Sequence, residues 1–144
     1  MKLDKINQKI IKILSEDGRM PNNEIASKVG VSEGTIRNRI KKLLSEGFLK
    51  VRGLINPDKF FDKQLIYILI KLEISRNWKE IAQKVSELPE VRSVSMITGR
   101  FDLLVELFIE PYHLLHFLTE ELTKIGNISS TESLVAIKNF KKWI

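Results

Sequence analysis

Ser32, Gly34, Thr35, Arg37, Asn38, Arg39, Lys41 and Lys42 crowd into one short stretch and combine two chemistries. Short hydroxyl and amide groups match the donors and acceptors on base edges in a major groove, and long cations reach phosphate oxygens. With Ile36 at zero and about 100° per residue, the apolar stripe of this stretch centres near Ile40 and Asn38 points almost opposite. Gly34, Thr35, Lys41 and Lys42 surround Asn38, while Arg37 and Arg39 flank the stripe. A polar ridge edged with cations suits a helix lying in the major groove of double-stranded DNA. The plainer alternative is a helical hairpin whose Lys and Arg side chains only solvate its surface.

The elements that must position this ridge are two short helices meeting at a tight turn. Ile25, Ala26 and Val29 make the apolar face of the first, Gly30 and Val31 fill the turn, and Ile36, Ile40, Leu43 and Leu44 make the buried stripe of the second. That is helix-turn-helix spacing. Ala26 is small where the helices approach, Gly30 tolerates the left-handed backbone that ends a helix, and Ser32 is a good N-cap. Upstream, Leu3, Ile6, Ile10, Ile13 and Leu14 keep helical spacing after Asp4, with a stop near Asp17-Gly18. Downstream, Phe48 to Ile55 mixes apolar residues with Lys50 and Arg52, as a short strand or wing would. Asn56-Pro57-Asp58 breaks it and marks a domain boundary, giving domains over 1–56 and 57–144.

Charge separates the two parts. Residues 1–56 carry 12 Lys plus Arg against 6 Asp plus Glu, and residues 57–144 carry 12 against 12, so the whole +6 excess sits with the helix-turn-helix. A basic half joined to a neutral half is expected when one domain meets a polyanion and the other has a different task. At 144 residues and 43% apolar composition the chain can build two small cores. It has no cysteine, which excludes disulfides and thiolate metal sites. No apolar run approaches the roughly 18 residues needed to span a bilayer, and Met1-Lys2-Leu3-Asp4 does not open a signal peptide. A soluble cytoplasmic protein without membrane contact is the expectation.

The second half reads as β-α-β-β-α-β. Leu65 to Ile74 is expected as a strand, although so continuous an apolar run also allows a helix. Trp78, Ile81, Ala82, Val85 and Leu88 keep helical spacing to Pro89. Val91 to Thr98 and Leu103 to Ile109 read as strands joined by Gly99-Arg100-Phe101-Asp102, and Pro111 opens a helix lined by Leu114, Leu115, Leu118, Leu122 and Ile125. A last strand is expected from about Glu132 to Lys138. The fold class is therefore α+β, an N-terminal winged helix-turn-helix followed by a ferredoxin-like domain, whose open sheet face predicts a homodimer.

These residues together resemble the leucine-responsive regulator/AsnC group, the feast/famine transcription regulators. The resemblance rests on Leu3-Asp4 before an Ile-rich helix, the helix ending Arg39-Ile40-Lys41-Lys42-Leu43, the Asn56-Pro57 hinge, Pro89-Glu90-Val91, Thr98-Gly99-Arg100-Phe101-Asp102, and Thr131-Glu132-Ser133 before the final strand. It implies DNA binding by the first domain and a ligand-responsive second domain, often called the regulation of amino-acid metabolism (RAM) domain. It also implies dimers that associate further, commonly into octamers, with a small effector, often an amino acid, held where dimers meet. On this chain the implied effector residues are Thr98, Gly99, Arg100, Phe101 and Asp102, with Ser130, Thr131, Glu132 and Ser133 from a neighbouring subunit.

Backbone N–H groups around Gly99 can hold a carboxylate, and Asp102 or Glu132 can accept from an ammonium. The alternative is a glycine hairpin whose Asp102 bonds its own backbone. Two positions depart from the family. Arg100 stands where many members carry an acidic residue, and Pro21 stands where a Ser or Thr cap is common, leaving Asn22 or Asn23 to cap the second helix.

Enzymatic readings find less support. His113 and His116 are three apart on one expected helix, but two histidines without further ligands are ordinary solvated side chains more often than a metal site. No phosphate-cradling Gly-rich loop and no nucleophile-base motif is present. Sirohaem decarboxylases resemble the same family, yet they would need a tetrapyrrole cleft rich in His and Arg. An architectural DNA-binding protein would share the basic domain and need no effector turn. No cofactor or metal is called for, and no catalytic residue is assigned.

Overall fold

The computed structural model describes residues 3–73 and 77–144. The expected strand end at Ile74 and the leading Met1-Lys2 lie outside the described residues. The chain forms two compact units, Met1–Gly53 and Leu54–Ile144.

The first unit is three helices, α1 (Lys5–Glu16), α2 (Asn22–Val29) and α3 (Glu33–Ser45). Asp4 caps α1 by accepting from the Asn7 N–H at 2.8 Å. Gly30 ends α2 with φ of 81°, and its N–H donates to the Ala26 carbonyl at 2.8 Å. Neither Asn22 nor Asn23 caps α2. Both lie inside the helix, Pro21 occupies the cap position without a side-chain bond, and the Asn23 side chain accepts from the Glu24 N–H. Pro suits that place because the first helical turn has surplus N–H donors. Ile10, Ile25, Ala26, Ile36 and Leu43 form the buried core, with Ile6, Ile13, Val29 and Ile40 packed around it. Leu44, expected within the buried stripe, is 43% exposed. It lies one residue, about 100°, beyond Leu43 and so turns off the core-facing side.

The strand or wing expected over Phe48 to Ile55 does not form a sheet ladder. Residues 49–56 carry no regular structure. Ile55 is instead held by a reciprocal pair of backbone hydrogen bonds with Ile144, at 2.8 and 3.0 Å. Asn56-Pro57 opens a 3₁₀ turn (Pro57–Lys59), the Asn56 side chain accepting from the Asp58 N–H at 3.0 Å. The turn belongs to the second unit, which begins at Leu54.

That second unit contains β1 (Gln64–Leu72), α4 (Trp78–Ser86), β2 (Val91–Met96), β3 (Leu103–Ile109), α5 (His113–His116), α6 (Leu122–Ile125) and β4 (Ile128–Val135). The sheet order is β2-β3-β1-β4 with every neighbouring pair antiparallel, the split-βαβ arrangement. Alternation along β1 and β3 sends Ile66, Ile68, Ile70, Leu72, Leu103, Val105, Leu107 and Ile109 into the core against Ile81, Val85, Phe117 and Leu122. A π-helical turn, Phe117–Glu121, joins α5 to α6. Its wider turn brings Phe117 and Leu122, five residues apart, to the same buried side. Leu115, expected on the apolar stripe, is 69% exposed, because it lies two residues, about 200°, before Phe117.

The opposite face of the sheet carries Tyr67, Leu69, Leu104 and Phe108, all half-buried. Phe60 packs edge-on to Phe108 at 5.6 Å, and Lys142 Nζ donates to Glu106 Oε2 at 2.7 Å. The final strand begins earlier than the expected Glu132 and ends before Lys138. Residues from Ile128 pair with β1, so Thr131-Glu132-Ser133 lie within the strand and not ahead of it. Because β4 is an exposed edge strand, it lacks the apolar alternation that would have marked its start.

Candidate nucleic-acid interface and ligand site

The first site is the solvent side of α3. Ser32 starts the helix by accepting from the Thr35 N–H at 3.2 Å, and its hydroxyl also meets the Thr35 hydroxyl at 2.8 Å. Gly34, Arg37, Asn38, Lys41 and Lys42 are exposed, and Thr35 is half-buried. Two of the cations sit in ion pairs along the helix, Arg37 with Glu33 at 2.6 Å and Lys42 with Glu46 at 3.7 Å. Such exposed pairs are weak, so a phosphate can replace the carboxylate at little cost.

Arg39 is different. Its guanidinium donates to Asp4 Oδ2 at 2.7 Å and to Asn7 Oδ1 at 3.0 Å, tying α3 to the start of α1. Asn7 is the buried polar side chain of this unit, so the bond also satisfies a group removed from water. Arg39 therefore stands apart from the other basic residues of the ridge, facing inward along the helix packing. Asp4 and Asn7, which sequence reasoning left out of the site, hold it there. The Asp4 carboxyl is pulled below its usual value, first by the Asn7 N–H and then by Arg39.

The second site is the turn between β2 and β3. Thr98, Gly99 and Arg100 are exposed, Phe101 and Asp102 are half-buried, and Gly99 has φ of 118°, which a side chain would strain. The turn closes through the Ile97 N–H donating to the Asp102 carbonyl, while the Asp102 N–H reaches the Ile70 carbonyl of β1, each at 2.9 Å. The Asp102 carboxylate is already engaged. Its Oδ2 accepts from the Leu72 N–H at 2.9 Å and its Oδ1 from Lys71 Nζ at 3.2 Å. The Leu72 bond is the main reason its carboxyl lies below the usual range, with Lys71 adding to it. Asp102 thus bonds backbone, as the hairpin alternative required, but the backbone of β1 and not of its own turn. Arg100 lies over the Phe101 ring at 5.4 Å.

Ser130, Thr131, Glu132 and Ser133 sit on β4 at the same end of the sheet. Ser130 is opposite Lys71 and Glu132 opposite Leu69, on the open face. Thr131 is opposite Ile70 and Ser133 opposite Ile68, pointing the other way. Ser130 and Thr131 also line a groove of about 320 Å³ with Leu118, Leu122 and Asn127. Lys71, missed as a site residue, sits between the turn and β4. A lysine closing an otherwise apolar strand was the signal available for it.

His113 and His116 are exposed on α5, the first ring against Tyr112 and the second 3.4 Å from Glu121. Among the described residues, no three His, Cys, Asp or Glu side chains converge to hold a metal, and no helix is long and apolar enough to cross a membrane.

Known families match both units. An AsnC-type helix-turn-helix domain fits residues 3–44, and the Lrp/AsnC ligand-binding domain fits residues 65–143. The chain belongs to the Lrp/AsnC family. A similar member is an HTH-type transcriptional regulator of Pyrococcus furiosus, 36% identical over 98% of this chain and 95% of its own length. The solved structure of E. coli AsnC superposes with a TM-score of 0.72 at 25% identity, over 96% of this chain and 95% of that one. The transcriptional regulator NMB0573 from Neisseria meningitidis, solved as a complex with L-Met, gives 0.76 at 26% identity over 98% and 94%. The chain is thus an Lrp/AsnC helix-turn-helix transcription regulator with a ligand-binding domain.

Proposed function

We propose that α3 enters the major groove, with Asn38, Thr35 and Gly34 against base edges and Arg37, Lys41 and Lys42 against phosphates. The exposed ridge of Ser32-capped α3, on the unit that holds the whole positive excess, carries this reading. Arg39 contributes by positioning the helix. The ferredoxin-like unit dimerises through its half-covered sheet face, which pairs two helix-turn-helix units on one operator and permits octamers built from four dimers. The protein acts in the cytoplasm as a DNA-binding regulator, without catalysis of its own.

The turn at Thr98–Asp102, together with Ser130–Ser133, binds an amino acid or related metabolite where dimers meet. The L-Met complex of the Neisseria relative supports an amino-acid class of effector. The mechanism is a population shift: ligand at that contact favours one assembly and so changes how many DNA-binding units engage together. Footprinting and light scattering on the full chain, with and without added amino acids, test it. The expected result is protected half-sites spaced by about 10 to 10.5 base pairs or multiples, with an assembly change on ligand addition. Equal affinity on random DNA of the same length would favour an architectural role instead.

A further inference from the structure

The charges around the turn restrict what that ligand can be. Asp102, the carboxylate nearest the turn, has both oxygens occupied by the Leu72 N–H and Lys71, and its side chain is only 12% exposed. Turning it toward an ammonium would break a backbone bond that anchors the turn to β1, leaving a half-buried N–H unpaired. Two of the groups still facing solvent are cationic, Lys71 and Arg100, beside the exposed Glu73 that follows β1. Lys71 remains 42% exposed and has two further N–H donors beyond its bond to Asp102. Arg100 is exposed, and its stacking on Phe101 holds the planar fork at the turn.

We infer that the effector of this chain carries two carboxylates: an acidic amino acid, or the 2-oxo acid with the same skeleton. This rests on the reading of the turn as the effector site. One carboxylate takes the backbone N–H groups around Gly99 and the other takes the Arg100 fork, a geometry that favours paired N–H···O bonds. Lys71 adds a second positive charge at the same end of the sheet. Glu132, exposed on β4 one strand step from Ser130 and on the same face, is the acceptor for an ammonium where the ligand has one. A basic ligand would place its extra cation beside Arg100 and Lys71, and a neutral one would leave Arg100 without an anionic partner.

Calorimetric titration of the full-length protein with glutamate, 2-oxoglutarate, glutamine and lysine tests this. Glutamate or 2-oxoglutarate is expected to bind at least tenfold tighter than glutamine, with lysine weakest. Arg100→Ala, an exposed change, is expected to weaken glutamate and 2-oxoglutarate at least tenfold and glutamine by less, so that the preference for the dicarboxylates is lost. Either dicarboxylate supports the inference: tighter 2-oxoglutarate assigns the oxo acid, and tighter glutamate that weakens in Glu132→Gln assigns the amino acid. Lysine or glutamine binding as tightly as both dicarboxylates, or a preference unchanged by Arg100→Ala, overturns the inference and leaves the effector site standing. No saturable binding of any of the four overturns both.

Discussion

Arg39 of α3 is bound to Asp4, the residue that caps the first helix, at 2.7 Å. A cation in the middle of a basic ridge is thereby an internal brace, and the same aspartate closes one helix while orienting another. Its carboxylate takes the Asn7 N–H on one oxygen and Arg39 on the other. The brace sets Arg39 apart from the exposed cations Arg37, Lys41 and Lys42 of the same helix.

Arg39→Ala should therefore weaken operator and scrambled DNA by a similar factor and leave the salt dependence of binding unchanged. It should also lower the thermal midpoint by a few degrees, with Asp4→Ala producing a loss that does not add to it. Melting curves of the two single variants and the double variant measure the coupling. Full additivity, with a reduced salt slope for Arg39→Ala, would return this residue to the phosphate contacts.

Asn38 and Lys42 should behave oppositely to each other. Asn38→Ala is expected to cost about 1 to 3 kcal/mol on the operator and little on scrambled DNA. Lys42→Ala should weaken both equally and reduce the salt slope by about 1. Titrations on the two DNAs at several salt concentrations distinguish them, and equal losses for Asn38→Ala would exclude it from base readout.

Acid should loosen the turn at Asp102. Its folded-state carboxyl lies below the ordinary 3.8, chiefly through the Leu72 N–H. A depressed value means stabilisation that is complete above the unfolded-state pKa and lost as pH falls through the folded one. Asp102→Asn should be less stable near neutrality and show a shallower decline below about pH 4. Thermal midpoints of both proteins across the acid range give the comparison, and parallel curves would contradict it.

Assembly should respond to the open sheet face. Leu104→Arg places a charge among Tyr67, Leu69 and Phe108, half-buried residues on the side away from the core. The variant should fold and scatter as a monomer at micromolar concentration, because burying an unpaired cation costs more than a single apolar contact returns. A dimer of unchanged stability would move the interface elsewhere.

Much of this architecture is decided locally, which is why it can be read from the residues in order. Gly30, Ser32 and Asp4 act on neighbours within one helical turn, and the alternation along β3 follows from a side-chain period of two. The fold class and family are legible for the same reason. The start of β4 is not, since an exposed edge strand need not alternate, and the π-helical turn shifts the buried stripe of its helix onto Phe117 without a sequence sign. Residue roles that depend on distant partners stayed hidden as well. Arg39 and Asp4 are 35 positions apart, and Asp102 lies 30 and 31 positions from Leu72 and Lys71. Sequence alone determined that a basic helix would face solvent and that a glycine turn would join β2 to β3. Only the tertiary structure decided which of their charges are free, because a charged side chain is occupied by whatever the fold brings within hydrogen-bond reach, and that reach ignores separation along the chain.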